Sequence, residues 1–223
     1  MSSPSFHFKR FFAAGFLALA SAGALWAGDD WQFWQEASAP VHKRGKFTSS
    51  LTEHTRYQND MKDLYFFFVK SKNAYAPRPW LNAAVSYGYF KQKNLRSVWL
   101  EEHRPEVEAS PRLTWKGFTL ENRARVEARL IEKDGKDAVW RYRNRFQASL
   151  DGNILGKKAG FFVNEEIFYD FTAETRNQNR VFAGVKFSPA KRLSISLSWG
   201  VQSVLSGSRW ESRQLFFASV GLN

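Results

Sequence analysis

The sequence predicts an all-β protein, an antiparallel up-and-down transmembrane β-barrel of about twelve strands after an N-terminal signal peptide. The first observation is strict alternation of apolar and charged residues, most complete in FTLENRARVEARL at 118–130, as in a strand with one apolar face. The second is length, because segments of about ten to thirteen residues exceed the usual five or six of soluble strands and suit a tilted bilayer crossing. The third is an export signal.

Residues 1–27 have the pattern of a secretory signal peptide. Two basic residues precede an apolar run at 11–20, and small residues follow it. The A-x-A rule places cleavage after Ala24 or Ala27. Counted from Phe11 through the small residues to Ala27, the run covers at most 17 residues, the low limit for a spanning helix, and its small-residue end favours cleavage over a membrane anchor. The sequence therefore predicts one barrel domain at 28–223.

The first six strands are predicted at 31–39, 46–57, 63–71, 80–90, 95–104 and 110–115. The second and the fourth alternate apolar with polar or small residues, which is the period of a strand. The third contains LYFFFVK, the fifth contains SVWLEEHR, and the sixth is short. The irregular stretch KNAYAPRPW, which carries prolines, separates the third strand from the fourth.

The last six strands are predicted at 118–130, 138–150, 160–171, 179–187, 193–204 and 210–222. The two residues at 116–117 form a tight turn that sets Trp115 opposite Phe118, on matching faces. The next turn contains Asp134 and Gly135. Matched faces there require a loop with an odd number of residues, such as a three-residue turn with a bulge.

An even number of antiparallel strands places both termini on one side of the membrane and closes without an unpaired edge, which lipid does not tolerate. The connections then sort by parity. The turns at 116–117, 151–159 and Pro189 are predicted on the periplasmic side. The predicted outer connections are VHKRGK (41–46), KNAYAPRPW (72–80), the Asp134-Gly135 loop, 172–178 and 206–208.

Aromatic residues lie near both ends of the apolar rows. They are Trp115, Phe118 and Phe187 by the short turns, and Trp140, Tyr169, Phe171 and Trp210 near the other ends. Two such girdles are typical of barrels whose rings meet lipid headgroups. The alternative is a soluble sandwich with the apolar row as its core, which alternation alone does not exclude. Strand length, girdles and the export signal favour a barrel in the Gram-negative outer membrane.

Five stretches resemble a known family: WLEEHRPE, LENRARVEARL, WRYRNRFQ, NEEIFYDF and NRVFAGVKFS. They occur in the order found in a bacterial outer-membrane barrel family catalogued as domain of unknown function 2490. The resemblance covers nearly the whole mature chain, and WRYRNR with the following NE…F…NR…G stretch is its most specific part. It implies an outer-membrane barrel without an assigned activity.

The inward row of this barrel is mostly charged. The predicted pore-lining residues are Arg112, Glu121, Arg123, Arg125, Glu127, Arg129, Arg141, Arg143, Arg145, Glu166 and Arg180. With Lys186, Arg209 and Arg213, and with the acids Glu101, Asp170 and Glu211, the row holds eleven basic and six acidic residues. Because unpaired buried charge is costly, these groups either pair or touch water. Two interpretations stay open: a salt-bridged structural barrel, and a small pore that favours anions.

No enzyme is predicted, and the alternative is a barrel-embedded hydrolase of lipid or envelope glycan. Its best catalytic pair is Glu101 and His103, because carboxylates beside an imidazole tune its protonation. His54 and His103 are both predicted to face inward, away from lipid. No nucleophile with a base and no G-x-S-x-G elbow is identifiable.

Composition limits the partners. Lys and Arg number 33 against 21 Asp and Glu, and the formal net charge is +12, which often indicates nucleic acid or an anionic surface. Export and the lack of a DNA-binding motif argue against nucleic acid. Without cysteine or a metal-ligand motif, no metal or cofactor is predicted. The predicted partners of this monomer are outer-membrane lipid, small anionic solutes and lipopolysaccharide, whose phosphates VHKRGK and Arg78 would bind.

Overall fold

The computed structural model describes residues 30–94, 96–132, 137–154 and 156–222, so the signal peptide predicted at 1–27 lies outside the described residues. Within these ranges the chain forms eleven strands, and no helix is long and apolar enough to cross a membrane. In chain order the strands are β1 (Trp31–Arg44), β2 (Phe47–Gln58), β3 (Asp63–Arg78), β4 (Leu81–Lys93), β5 (Trp99–Trp115), β6 (Phe118–Ile131), β7 (Val139–Ile154), β8 (Lys157–Asp170), β9 (Thr175–Ala190), β10 (Leu193–Ser206) and β11 (Arg209–Leu222).

The strands close into one barrel, which confirms the predicted all-β barrel fold. Consecutive strands pair antiparallel, and β1 pairs with β11 in parallel, with Trp31 opposite Gln214 and Ser38 opposite Gly221. The parallel seam follows from the strand number, since the first and last of an odd set of alternating strands run in the same direction. The described barrel therefore has eleven strands where about twelve antiparallel strands were expected.

Strand β5 accounts for the difference. The prediction divided this region into 95–104 and 110–115, but it forms one strand of 17 residues. Pro105 and Pro111 lie within it, in register with β4. Because proline has no N–H to donate, the ladder to β6 is interrupted at both prolines, while the register on either side is the same. Six residues apart, the two prolines share the exposed, outward face of the strand.

The barrel has two unlike ends. We call one the turn end, because five connections of only two residues meet there together with Leu222, the last residue of β11. The other is the loop end, where Asp30 lies and where β2 connects to β3, β4 to β5, β6 to β7, β8 to β9 and β10 to β11. Because β5 is a single strand, the predicted sorting of the early connections is corrected: VHKRGK and KNAYAPRPW lie at the turn end, with 116–117. The two described termini lie at opposite ends.

The outward rows are apolar and exposed, with Val107 55% and Leu113 68% exposed. The predicted girdles take their expected places, since Trp115 lies at the turn end and Trp140 and Trp210 lie at the loop end, all three exposed. The sole amide in the apolar row of β6, Asn122, exchanges hydrogen bonds with Asn144 on β7 at 2.9 and 3.1 Å. This pairing satisfies both amides on an otherwise apolar surface.

The loop at Asp134 and Gly135 lies outside the described residues. In the strands on either side of it, Ala128 pairs with Trp140. The apolar faces of β6 and β7 therefore match, which is the pairing for which a loop with an odd number of residues was predicted.

Candidate functional site: the barrel lumen

Most of the predicted inward residues on β6–β9 reach the lumen. Glu121, Arg123, Arg125, Arg143, Arg145, Glu166 and Arg180 line its cavity. Inside the barrel, Arg141 binds Glu127 and Arg129 binds Glu102. Arg112 differs, because it is exposed at the turn-end rim, where its Nε donates to the carbonyl of Pro79 at 3.0 Å.

The sequence reading missed the acids of β5. Glu102, Arg104, Glu106 and Glu108 are all buried and face the lumen, between 3% and 7% exposed. They alternate with His103, Pro105 and Val107, so the period of two was present in the sequence. Dividing the strand near Pro105 hid this row, and the interior is consequently less positive than predicted.

The acids and arginines form two buried groups of ion pairs. Glu102 binds Arg104 at 2.7 Å and Arg129 at 2.9 Å. Glu127 contacts Arg104, Arg141 and Arg143, and Arg143 continues to Glu166 at 2.9 Å. A second group joins Arg125 to Glu106 and Glu108, which also bind Lys70 and Lys72 of β3. Buried charges that are hydrogen-bonded in this way resist removal of either partner.

Nine side chains, one from each of β1–β9, form a layer across the lumen in which each contacts the next and the last contacts the first. We call this layer the lumen ring; its members in strand order are Trp34, Arg56, Phe66, Phe90, Arg104, Glu127, Arg143, Phe168 and Arg180. Guanidinium carbons lie 3.8 Å from the ring centroids of Trp34 and Phe90, and Arg180 closes the circuit 4.8 Å from Trp34. Such cation–π contacts contribute about 0.5–2 kcal/mol each.

Two further residues fill the arc left by β10 and β11. Gln202 of β10 accepts a hydrogen bond from Arg180 at 2.9 Å, and Leu215 of β11 packs against Trp34. Phe168, Glu127 and Leu215 are each 0% exposed. At this level the bore is therefore filled by side chains.

Between the lumen ring and the turn end lies a cavity of about 510 Å³, which we call the vestibule. It reaches the turn end, because Ser194 at the start of β10 and Gly221 at the end of β11 line it. Its lining includes nine arginines and lysines against four glutamates. A concave site with such an excess of one sign concentrates ions of the opposite sign.

The predicted catalytic pair does not face the lumen. Glu101 and His103 lie on the outward face of β5, near the loop end, because the continuous strand turns their neighbours Glu102 and Arg104 inward. Nδ1 of His103 lies 2.6 Å from Oη of Tyr87, and Glu101 binds Lys91 at 2.7 Å. His54 is buried inside, as predicted, where it stacks on Phe68 with ring centroids 4.8 Å apart.

In the part of the chain that the structure describes, no group of three His, Asp or Glu side chains is arranged to hold a metal ion.

Fold and lumen together define a closed β-barrel of the outer-membrane kind with a charged interior. Residues 31–213 match the family described as "Protein of unknown function (DUF2490)", and the chain belongs to that family. Among curated protein sequences, none matches the chain significantly.

The solved structures that are similar to the chain include the following two. One is the anion-selective porin from Comamonas acidovorans, with a TM-score of 0.42 and 11% identity, over 82% of this chain and 55% of the porin. The other is LpxR from Salmonella typhimurium, with a TM-score of 0.47 and 9% identity, over 79% of this chain and 83% of LpxR.

Proposed function

We propose that this protein is a monomeric outer-membrane barrel whose lumen is a blind, anion-attracting vestibule closed by the lumen ring, and not a through pore. The complete burial of Phe168 and Glu127 carries the proposal. In an open pore, the inward side chains of every layer would border the channel. In this layer Phe168 and Glu127 are completely covered, and each side chain contacts the next around the barrel.

Lipid is the proposed surrounding of the outward rows. The strands have 12 to 17 residues, enough for the roughly nine to eleven that a tilted crossing needs. Closure satisfies the backbone without a partner chain, which supports a monomer. Short turns are typical of the periplasmic side, so we propose the turn end as periplasmic. The basic segment VHKRGK and Arg78 would then lie away from the lipopolysaccharide that they were predicted to bind.

Planar-bilayer recording tests the closed lumen. We expect the purified wild-type barrel to give no steady current. Phe168→Ala removes a fully buried ring that contacts three arginines, and it should produce channel openings. Phe146→Ala is the matched control, because that ring lies on the outward face and its removal leaves the lumen closed.

A steady, anion-selective wild-type current would contradict the closed lumen. It would support the through pore instead, with Arg123, Arg125, Arg141, Arg143 and Arg145 as its selective lining. Replacing these arginines would then change the reversal potential.

A specific observation favours a second candidate, a hydrolase of membrane lipid. The outward position of His103, with its Nδ1 2.6 Å from Tyr87, puts an imidazole where lipid would lie. Among the described residues, however, no serine hydroxyl hydrogen-bonds to His103, so a nucleophile is not identified. Turnover of vesicle lipid by the wild type, abolished in His103→Ala and retained in Lys93→Ala, would place this candidate first.

A further inference from the structure

We infer that the vestibule contains a binding site for an oxyanion, the phosphate or carboxylate group of a small hydroxylated solute, centred on Arg123 and Arg145. The inference rests on the proposed vestibule and specifies what it takes up. Four features of the lining support it: a pair of facing arginines, free donors on both, a surplus of positive charge and a wall of hydroxyl groups.

The register of β6 and β7 places Arg123 directly opposite Arg145 on the inward face. Like charges facing each other across a sheet destabilise it, so such a pair needs compensation. Arg145 has one acidic partner, Glu121, at 3.3 Å. Arg123 binds Glu166 at 2.6 Å, but Glu166 also serves Arg143 and Arg180.

The next facing pair makes the contrast clear. Arg125 lies opposite Arg143, yet each of these two has two acids within 4 Å: Glu106 and Glu108 for Arg125, Glu127 and Glu166 for Arg143. The pair nearer the turn end is therefore the less compensated one. An anion bound between Arg123 and Arg145 would supply the missing negative charge.

Both arginines keep donors for such a ligand. The buried Nε atoms of Arg123 and Arg145 have no acceptor among the described residues. A guanidinium offers its N–H groups in a planar fork that matches the oxygens of phosphate and carboxylate. Leaving buried donors unbonded is unfavourable. The side chains of Arg123 and Arg145 are 16% and 26% exposed, so an oxyanion in the vestibule would reach their guanidinium groups.

Charge at the entrance favours anions as well. Lys186 lies exposed in the lining, and within the described ranges no acid approaches it to 4 Å. The turn end around the mouth carries further basic residues, namely Lys43, Arg44, Lys46, Arg78, Lys116, Lys191 and Arg192. A basic rim that leads to a positively charged cavity raises the local concentration of anions and the rate at which they enter.

Hydroxyl groups form another part of the wall. Ser194, Ser196 and Ser198 follow one another on the inward row of β10, Ser219 lies on the adjacent β11, and Ser38 lies on β1 beyond it. In the described part of the chain, the hydroxyls of Ser38, Ser196 and Ser219 make no hydrogen bond. A volume of about 510 Å³ falls in the range of small-molecule sites, about 300–1,000 Å³. The wall therefore fits a ligand that carries hydroxyl groups beside its anionic group.

Titration calorimetry on the full barrel in detergent, at constant ionic strength and with chloride as background ion, tests the site with inorganic phosphate as probe. We expect saturable binding of one phosphate per barrel. Arg145→Gln should weaken it about tenfold, the loss of one charged hydrogen bond. Glu121→Gln should tighten it several-fold, because that acid competes with the phosphate for Arg145. Arg176→Gln, at the loop end, should change nothing.

The opposite signs of the Arg145 and Glu121 variants separate binding from a folding defect, which would weaken both. Equal affinity in the wild type and in Arg145→Gln, or no binding by the wild type, would overturn the site. Glycerol phosphate should bind more tightly than inorganic phosphate, and Ser196→Ala should reduce only that difference. A bilayer current with phosphate binding intact would overturn the closed lumen and leave the site standing.

Discussion

Replacing Glu127 by glutamine should destabilise the barrel strongly while keeping its shape. Glu127 is fully buried and shared by three arginines: Arg143 at 3.4 Å, Arg104 at 3.7 Å, and Arg141 through a direct hydrogen bond. Glutamine preserves the volume but removes the charge, so three neighbouring cations lose their common partner. Removing one member of a buried ion pair costs about 3–5 kcal/mol, and we expect a loss of that size in the free energy of unfolding.

Reversible denaturant unfolding in lipid vesicles measures this loss, with the nine tryptophans of the chain as fluorescent reporters. The control is Glu211→Gln, because Glu211 is 56% exposed in its side chain and lies 3.8 Å from Arg213. Exposed pairs contribute little, so this variant should unfold like the wild type. A change below about 1 kcal/mol for Glu127→Gln would refute the argument that the lumen holds a buried charge network.

Three further outcomes follow from the barrel. Val107→Arg, at the middle of the outward face of β5, should lower stability by about 2–4 kcal/mol in vesicles, measured by the same unfolding assay. Gly200→Ala should cost about 1–3 kcal/mol, because a Cβ there would lie 2.5 Å from an aromatic ring carbon and closer still to a carbonyl oxygen, whereas Gly160→Ala meets nothing nearer than 3.7 Å and should be tolerated. In this cysteine-free chain, a membrane-impermeant maleimide should label Lys62→Cys in intact cells and leave Arg192→Cys unlabelled; the reverse would invert the proposed orientation.

Alternation alone was enough to predict the strands where both faces are unambiguous. In β6, charged residues from Glu121 to Arg129 alternate with apolar ones, and the structure turns the charged row inward. The turn at 116–117 fixed the register, because two residues between Trp115 and Phe118 allow only one pairing with matched faces. These inferences depend on residues close together in the chain, so a single sequence suffices for them.

Strand β5 shows where such reasoning fails. Proline is disfavoured in sheet interiors because it removes a ladder hydrogen bond, and the predicted gap between 104 and 110 begins at Pro105. The barrel tolerates both, since only the ladder to β6 is interrupted. Dividing this region into two strands gave one strand too many. It also assigned the connections before β5 to the opposite end of the barrel and placed Glu101 and His103 on the inward face. An alternating row through 102–112 was the signal that would have prevented it.

The lumen ring was not predictable in the same way. Its contacts join residues far apart in sequence, such as Arg180 and Trp34, and depend on which inward rows come level when the tilted strands close. The sequence carries the residue types of each row, whereas their relative heights follow from the registers of all eleven strands. A missing or added strand would shift these heights, so the ring required the structure.

The two halves of the lumen differ in how their arginines are covered. Toward the loop end, Phe168 is in contact with Arg141, Arg143 and Arg180, with guanidinium carbons 4.6–5.1 Å from its ring. An aromatic face attracts a cation without contributing a negative charge, so this half buries more arginines than its acids alone could neutralise. Toward the turn end, the inward positions of β10 carry serine instead, and among the described residues no aromatic ring lies in cation–π contact with Arg145. Aromatic rings therefore cover arginines toward the loop end, whereas toward the turn end Arg145 is accessible to water and to the proposed anion.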